Sequence, residues 1–233
     1  RENYEYRTLP AGVLVLTASV DVQKDRLEFY VYGWGRRGQR WLIDRDVLPG
    51  DPAGRTVWRD LDTRILSATY RSEWLSADIP IRRTAVDAGY LAPEVYRYVR
   101  RHSPDKVIAV HGKQRLPMAI GAPKAVEINL KGKRIYRGAK FFPVGSDYLK
   151  GELYATLRLD RPTKDDEEYP EGFLHFPSSA DEDYFKQLTA ERLKISEKKN
   201  REVHYEWVRI RERNEAMDCY VYARAVAISV GVD

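Results

Sequence analysis

Three aspartates stand where a carboxylate is costly unless something charged answers it. Asp21 closes the stretch 13–21 (VLVLTASVD), Asp87 closes 81–87 (IRRTAVD), and Asp218 falls in the first turns of a segment that opens at Asn214. A carboxylate ending a strand that is apolar on both faces calls for a metal, a cation or a set of donors. Gathered in one place, such groups repel and raise one another's pKa unless divalent cations neutralise them. Hard oxygen ligands that leave waters in place suit Mg²⁺ or Mn²⁺. Two such ions roughly 3.5–4 Å apart can activate a water and stabilise the leaving oxygen in phosphodiester hydrolysis. Taken singly, each residue has a plainer role: Asp21 and Asp87 suit turns, and Asp218 suits the positive end of a helix. Glu215, three residues before Asp218 and on nearly the same helical face, is a fourth candidate ligand. Glu28 is expected as a cross-strand surface residue.

The elements that must position these groups follow from periodicity. Residues 13–21 alternate over two largely apolar faces, as a central strand does. The aromatic and β-branched run 27–34 and the stretch 40–47, separated by a Gly-Arg-Arg-Gly turn, continue it as an antiparallel meander. After the breaker Pro49-Gly50-Asp51-Pro52, Val57, Leu61, Ile65 and Ala68 recur at helical spacing and predict a helix ending near Tyr70. A strand over 81–87, a helix from Pro93 through Arg101 and a strand over 106–110 follow. The order β-β-β-α-β-α-β implies an α/β protein, a mixed central sheet flanked by helices. It is the order of the ribonuclease H-like fold, in which, by analogy of fold, the first and fourth strands lie side by side and make Asp21 and Asp87 neighbours.

From 112 to 144 the texture turns to Pro, Gly and basic residues, with 124–130 and 134–142 forming a hairpin across Lys131-Gly132. This reads as an inserted β-ribbon in one domain spanning 11–233, residues 1–10 being a linker remnant. Beyond it, Ser146 is expected to cap a helix carrying Leu149, Leu153 and Leu157, and 160–172 to form an acidic loop. An amphipathic helix over 181–193 comes next. A hairpin of 194–195 and 203–210 turns around Lys198-Lys199-Asn200, and Asn214 caps a final helix to about Val230.

Composition narrows the function. At 233 residues, 43% hydrophobic, with 16 Tyr and 5 Trp, the chain can build a sizeable core, and no apolar run nears the roughly 20 residues of a membrane span. The absence of an initial Met and the polar first ten residues suggest a piece of something longer. A single Cys, Cys219, rules out an internal disulfide and multi-Cys zinc sites and fits a reducing compartment. No GxxxxGK[ST] loop, HExxH or GxSxG is present, so nucleotide hydrolysis, zinc hydrolysis and Ser-centred acyl transfer lack their signatures. Forty Lys and Arg against 35 Asp and Glu, a net charge of +5, suit a polyanion partner. Lys131, Lys133, Arg134, Arg137 and Lys140 interleave with Tyr136 along the ribbon and could follow a phosphate backbone. Lys150, His111 and Lys113 are candidate phosphate or transition-state contacts, although an amphipathic helix favours a solvated face for Lys150. The run Asp165-Asp166-Glu167-Glu168 reads as a solvated loop.

Several stretches resemble a known family. TASVDVQKDRLEFYVYGWG, VDAGY followed by VYRYVR, GSDYLKGELYATL, YFKQLTAE and RNEAMDCYVYARA are similar, in order and over nearly the whole chain, to the C-terminal nuclease domain of lambda-like phage terminase large subunits. The resemblance implies a metal-dependent endonuclease, with two Mg²⁺ or Mn²⁺ ions, that cuts concatemeric double-stranded DNA during genome packaging. In that scheme Asp21 bridges both ions, and Asp87 and Asp218 each complete one site. Lys150 lies in the GSDYLK segment of the resemblance. Implied partners are an N-terminal packaging ATPase domain, a small terminase subunit and the capsid portal, with no membrane. The implied setting is the host cytoplasm, transiently at the procapsid. Two alternatives stay open: a resolvase-like or ribonuclease H-like nuclease on branched DNA or hybrid, and a non-catalytic DNA-binding or motor-docking module.

Overall fold

The computed structural model describes residues 1–130, 133–164, 168–197 and 203–232. Lys131, Gly132, Asp165, Asp166, Glu167 and the Lys198-Lys199-Asn200 turn lie outside the described residues, as does the side chain of Lys133.

β1 (Val15–Val22), β2 (Arg26–Trp34) and β3 (Arg40–Pro49) form the expected meander. The chain then crosses through α1 (Thr56–Leu61), a short hairpin of β4 (Thr69–Ser72) with the start of β5 (Ala77–Asp87), and α2 (Ala92–Val99) to β6 (Val107–Lys113). β5 pairs parallel to β1 and β6 parallel to β5. This is the ribonuclease H-like arrangement, with β1 and β5 side by side. β7 (Lys124–Leu130) and β8 (Lys133–Gly145) form the ribbon's hairpin, and β8 also pairs parallel to β6, extending the sheet. The two-residue strand β9 (Leu174–His175) closes the far edge on β3, giving the order β7-β8-β6-β5-β1-β2-β3-β9. A separate hairpin joins β10 (Glu191–Glu197) to β11 (Val203–Arg209).

The sheet is covered on both faces. Leu16, Ala18, Val20 and Val22 of β1 pack with Val57, Trp58 and Leu61 of α1 and Val95, Tyr98 and Val99 of α2. The opposite face is roofed by α3 (Ser146–Thr156), α4 (Glu182–Leu188) and α5 (Glu215–Ser229). Beyond its acidic first turns α5 is apolar on every side but for Arg224, because it is buried between the sheet and its neighbours. It is locked in register by Thr17, whose hydroxyl donates to the Ala223 carbonyl (2.9 Å) and accepts from the Trp34 indole N–H (2.8 Å). At the other end of the meander, residues 2–9 lie along the sheet edge: the Tyr4 hydroxyl donates to the Leu42 carbonyl (3.1 Å) and the Arg7 amide to that of Ile43 (2.7 Å). Among the described residues no helix is long and apolar enough to cross a membrane.

Several expectations are corrected. The helix over 57–70 ends as a π turn at Asp62–Leu66, and Tyr70 is turned inward on β4, where its hydroxyl donates to Asp44 (3.0 Å). The helix over 181–193 stops at Leu188, because the chain from Glu191 pairs with β11. Gly145, not Ser146, holds the cap position of α3. Glu28 is buried, not at the surface: α5 roofs its face of β2, and Arg26 (2.7 Å) and Arg213 (3.0 Å) neutralise it.

The Thr17 junction yields a test of this packing. Thr17→Val keeps the volume but strands the Trp34 N–H and the Ala223 carbonyl in the core, at an expected cost of about 1–3 kcal/mol. A lower urea midpoint for the variant is the expected reading; an unchanged midpoint would mean that α5 is not fastened there.

Candidate metal centre

β1, β5 and β6 run parallel, so their C-terminal ends share one edge of the sheet. Val20 pairs with Val86 and Asp87 with Val110, which sets Asp21 and Asp87 next to each other at adjoining strand ends. Alternation turns Thr17, Ser19 and Asp21 toward α5, whose first turns bring Glu215 and Asp218 over the same edge. The four carboxylates line one open cleft of about 720 Å³, together with Gln23, Lys24, Arg26, Gly89, Tyr90, Arg209 and Arg213.

The electrostatics are those of acids forced together. Burial pushes the Asp21 carboxyl up to about 7; Gln23 opposes this by donating to Oδ2, and the charges of Asp87, Asp218 and Glu215 add to it. Asp87 rises to about 6, chiefly by burial, against donation from the Gly89 amide (2.9 Å) and the Tyr222 hydroxyl. Asp218 also rises to about 6 by burial, with Lys150 pulling it down and Glu191 and Asp87 pushing it up. Glu215 is held differently, between Arg213 (3.4 Å) and Arg26 (3.7 Å).

Behind Asp218 runs a buried polar chain. Lys150 Nζ donates to Glu191 Oε2 (2.8 Å), while Asn214 Nδ2 donates to Glu191 Oε1 (3.2 Å) and to Asp218 Oδ2 (2.8 Å). Lys150 is therefore not on a solvated face; it is 8% exposed and charges the support of Asp218. Asn214 sits at the helix cap position, yet its side chain makes no capping bond and is spent on this chain. Sequence reasoning missed Glu191, which no local pattern marks. It also missed Tyr222, which its spacing of four from Asp218 along α5 could have revealed.

The other expected contacts are not brought here. His111 is half-buried against Phe141 (ring centroids 6.0 Å) and does not line the cleft, nor does Lys113. The ribbon runs the other way. Phe142 is the β8 residue level with Asp87, through Val110 of β6, and β8 is parallel to the acid-bearing strands. Lys140, Arg137 and Arg134 thus lie roughly 7, 16 and 26 Å back along the strand from that level. Arg134 pairs with Glu127, and Arg137 stands over the Tyr136 ring (5.4 Å).

Donor type and charge fit a divalent cation: the acids offer hard oxygens, and burial raises the pKa of three of them, neighbouring acids adding to the rise at Asp21 and Asp218. Among the described residues none donates a hydrogen bond to the buried Glu215 Oε2, which Arg213 Nε faces at 3.4 Å. The side chains do not converge on one point, however. Among the described residues, no three His, Cys, Asp or Glu side chains are close enough together to hold an ion. Rotation of carboxylates now engaged by Gln23 and Asn214 would be required.

Against known proteins, residues 1–233 match the family model described as "Terminase large subunit gpA, endonuclease domain". The terminase large subunit of Escherichia phage lambda is 30% identical over 230 residues, 97% of this chain and 34% of the relative. That of Enterobacteria phage P21 is 31% identical over 227 residues, 96% of this chain and 34% of the relative. The chain thus spans about a third of the length of the curated relatives it matches. A solved structure, the g2p (large terminase) nuclease domain of bacteriophage SPP1 with bound Mn, aligns at a TM-score of 0.41 and 12% identity, covering 91% of this chain and 85% of that one.

The raised carboxyls have a consequence for stability. Asp21, Asp87 and Asp218 hold protons more tightly folded than unfolded, so their contribution is full below the ordinary value of 3.8 and is lost as pH rises through about 6 to 7. Asp21→Asn removes one such charge. In EDTA it is expected to raise the melting temperature, relative to wild type, by more at pH 8 than at pH 5. An equal shift at both pH values would contradict the buried-charge account.

Proposed function

The chain belongs to the terminase large subunit gpA endonuclease-domain family, and from that premise we propose that it hydrolyses phosphodiester bonds of concatemeric double-stranded DNA at the carboxylate cleft. The observation that carries this reading is that Asp21, Asp87 and Asp218 are brought from two adjoining strand ends and the start of α5 to line one cleft, with raised pKa values that a cation would relieve. Asp21, Asp87 and Asp218 would hold two ions, Asp21 contributing to both sites and Asp87 and Asp218 to one each. Bound there, Mg²⁺ or Mn²⁺ would supply a nucleophile at neutral pH and stabilise charge on the leaving oxygen.

The chain's own residues do the positioning. Asn214 holds Asp218 directly and is itself held by Glu191, which Lys150 fixes in turn; Tyr222 and the Gly89 amide orient Asp87. The Tyr222 hydroxyl also takes a bond from the Gly112 backbone, at a position where an added Cβ would stand 3.1 Å from it. Arg26 and Arg213 commit Glu215 to ion pairs, which favours Asp218 over Glu215 as the ligand from α5. Lys24 and Arg209 line the cleft and would meet the phosphates flanking the cut. Arg134 and Arg137 point back from the acid edge and would meet duplex only well away from the scissile bond. Family membership supports the wider setting: a longer packaging polypeptide with an ATPase half, a small terminase subunit, the capsid portal, and the host cytoplasm.

The test is nicking and linearisation of supercoiled plasmid with Mg²⁺, Mn²⁺ or EDTA. Cutting is expected with either metal, to vanish in EDTA and in folded Asp21→Asn, and to drop about 10- to 100-fold in Lys150→Ala, which loses the support of a ligand. Metal-independent cutting, or a folded Asp21→Asn that cuts like wild type, would contradict the mechanism. Preference for a four-way junction or an RNA–DNA hybrid over duplex would reassign the substrate.

A further inference from the structure

On the α1 and α2 side of the sheet, a second concavity of about 380 Å³ is ringed by Arg55, Arg97, Arg100 and Arg101, with Trp58 and Glu94 also lining it. Its floor is rigid: the rings of Trp58 and Tyr98 stack at 4.6 Å, and the Trp58 indole N–H donates to the Pro52 carbonyl (2.8 Å). All four guanidinium side chains belong to exposed residues. Their charge is poorly answered. Glu94 is taken by Arg97, and Asp62 accepts from the Tyr98 hydroxyl (2.8 Å) with His102 beside it at 3.4 Å. Arg101 lies over the Tyr98 ring at 5.3 Å, and among the described residues Arg55 and Arg100 form no ion pair.

Cations gathered round one concavity without matching acids repel one another, and an anionic ligand removes that cost. Planar guanidinium groups match phosphate oxygens in pairs, as lysines do not. The place is also connected to the cleft: Gly89 and Tyr90 line the carboxylate cleft and lead directly into α2. α2 has eight residues, about 12 Å of helix, so Arg100 and Arg101 lie on the order of 20 Å from Asp87. That span is about six base pairs of duplex at 3.4 Å each.

We propose that this arginine-ringed concavity binds backbone phosphates of the DNA duplex about half a helical turn from the cleavage cleft. The inference rests on the duplex substrate proposed above. It gives the domain a second anchor that fixes the direction in which DNA leaves the acids, independently of the metal.

The test is fluorescence anisotropy of a labelled 30-base-pair duplex with the whole 233-residue chain in EDTA, across a salt series. Binding by the Arg55→Gln, Arg100→Gln, Arg101→Gln triple variant is expected to have a log K against log[salt] slope shallower by roughly 2 to 3, since each phosphate contact contributes about 0.9. Lys186→Gln, at an exposed position of α4 that lines neither concavity, checked for folding alongside the triple variant, is expected to leave the slope unchanged. A wild-type slope in the triple variant overturns the proposal while leaving the nuclease reading intact. So does weakened binding of a polyglutamate peptide with the duplex slope unchanged, which would make the occupant an acidic protein. Failure of the wild type to bind duplex at any salt overturns both readings.

Discussion

Like charges are buried together at the edge of the sheet, and the surrounding fold is arranged to hold them there. Carboxylates at neighbouring strand ends cannot spread apart, because the parallel pairing of β1 with β5 fixes their spacing. Nor can they hydrate freely, because α5 roofs the face from which Asp21 projects. The outcome is a set of acids whose protons are held toward neutrality, a state that costs stability at physiological pH and that a divalent cation would reverse.

α5 links fold and chemistry. Its body is core, fastened by Thr17 and Trp34 to the sheet, while its first turns carry Asp218 and its fourth residue beyond carries Tyr222 to Asp87. A helix that merely lay on the surface could slide by a fraction of a turn and misplace both. Burial along nearly its whole length removes that freedom. The chain Lys150–Glu191–Asn214–Asp218 does the same from the side, tying α3 and the base of the β10–β11 hairpin to one carboxylate. Amide donors now occupy oxygens of Asp21 and Asp218. A cation entering the cleft would have to displace these hydrogen bonds, since the acids do not form a preformed cage.

What could be read from the sequence was whatever local periodicity carries. Alternation in VLVLTASVD and the order of strands and helices placed Asp21 beside Asp87, and the Glu215/Asp218 spacing placed both on one helical face. Long-range pairing carried the rest. Glu191 reaches Lys150 only because the chain leaves α4 at Leu188, although the helical pattern of the sequence continues to 193. Tyr70 fits a helix in spacing but is claimed by a short hairpin with β5. The ribbon's basic composition was legible, but its direction was not: only the parallel pairing of β8 with β6 shows that its cations run back from the acids. Alternation makes Glu28 solvent-facing, but Arg26 two residues away on the same strand and the distant Arg213, beyond β11, make its burial tolerable.

The central claim is that the clustered acids exist to take a cation, and Mn²⁺ binding tests it without reference to cutting. Free Mn²⁺ would be followed by electron paramagnetic resonance during titration of the chain and of Asp21→Asn at pH 7.5 and pH 5.5. The account predicts saturable binding at pH 7.5 that weakens at pH 5.5, as Asp21, Asp87 and Asp218 take up protons, and that is lost in the variant. Equal binding by Asp21→Asn, or tighter binding at pH 5.5 than at pH 7.5, would contradict it.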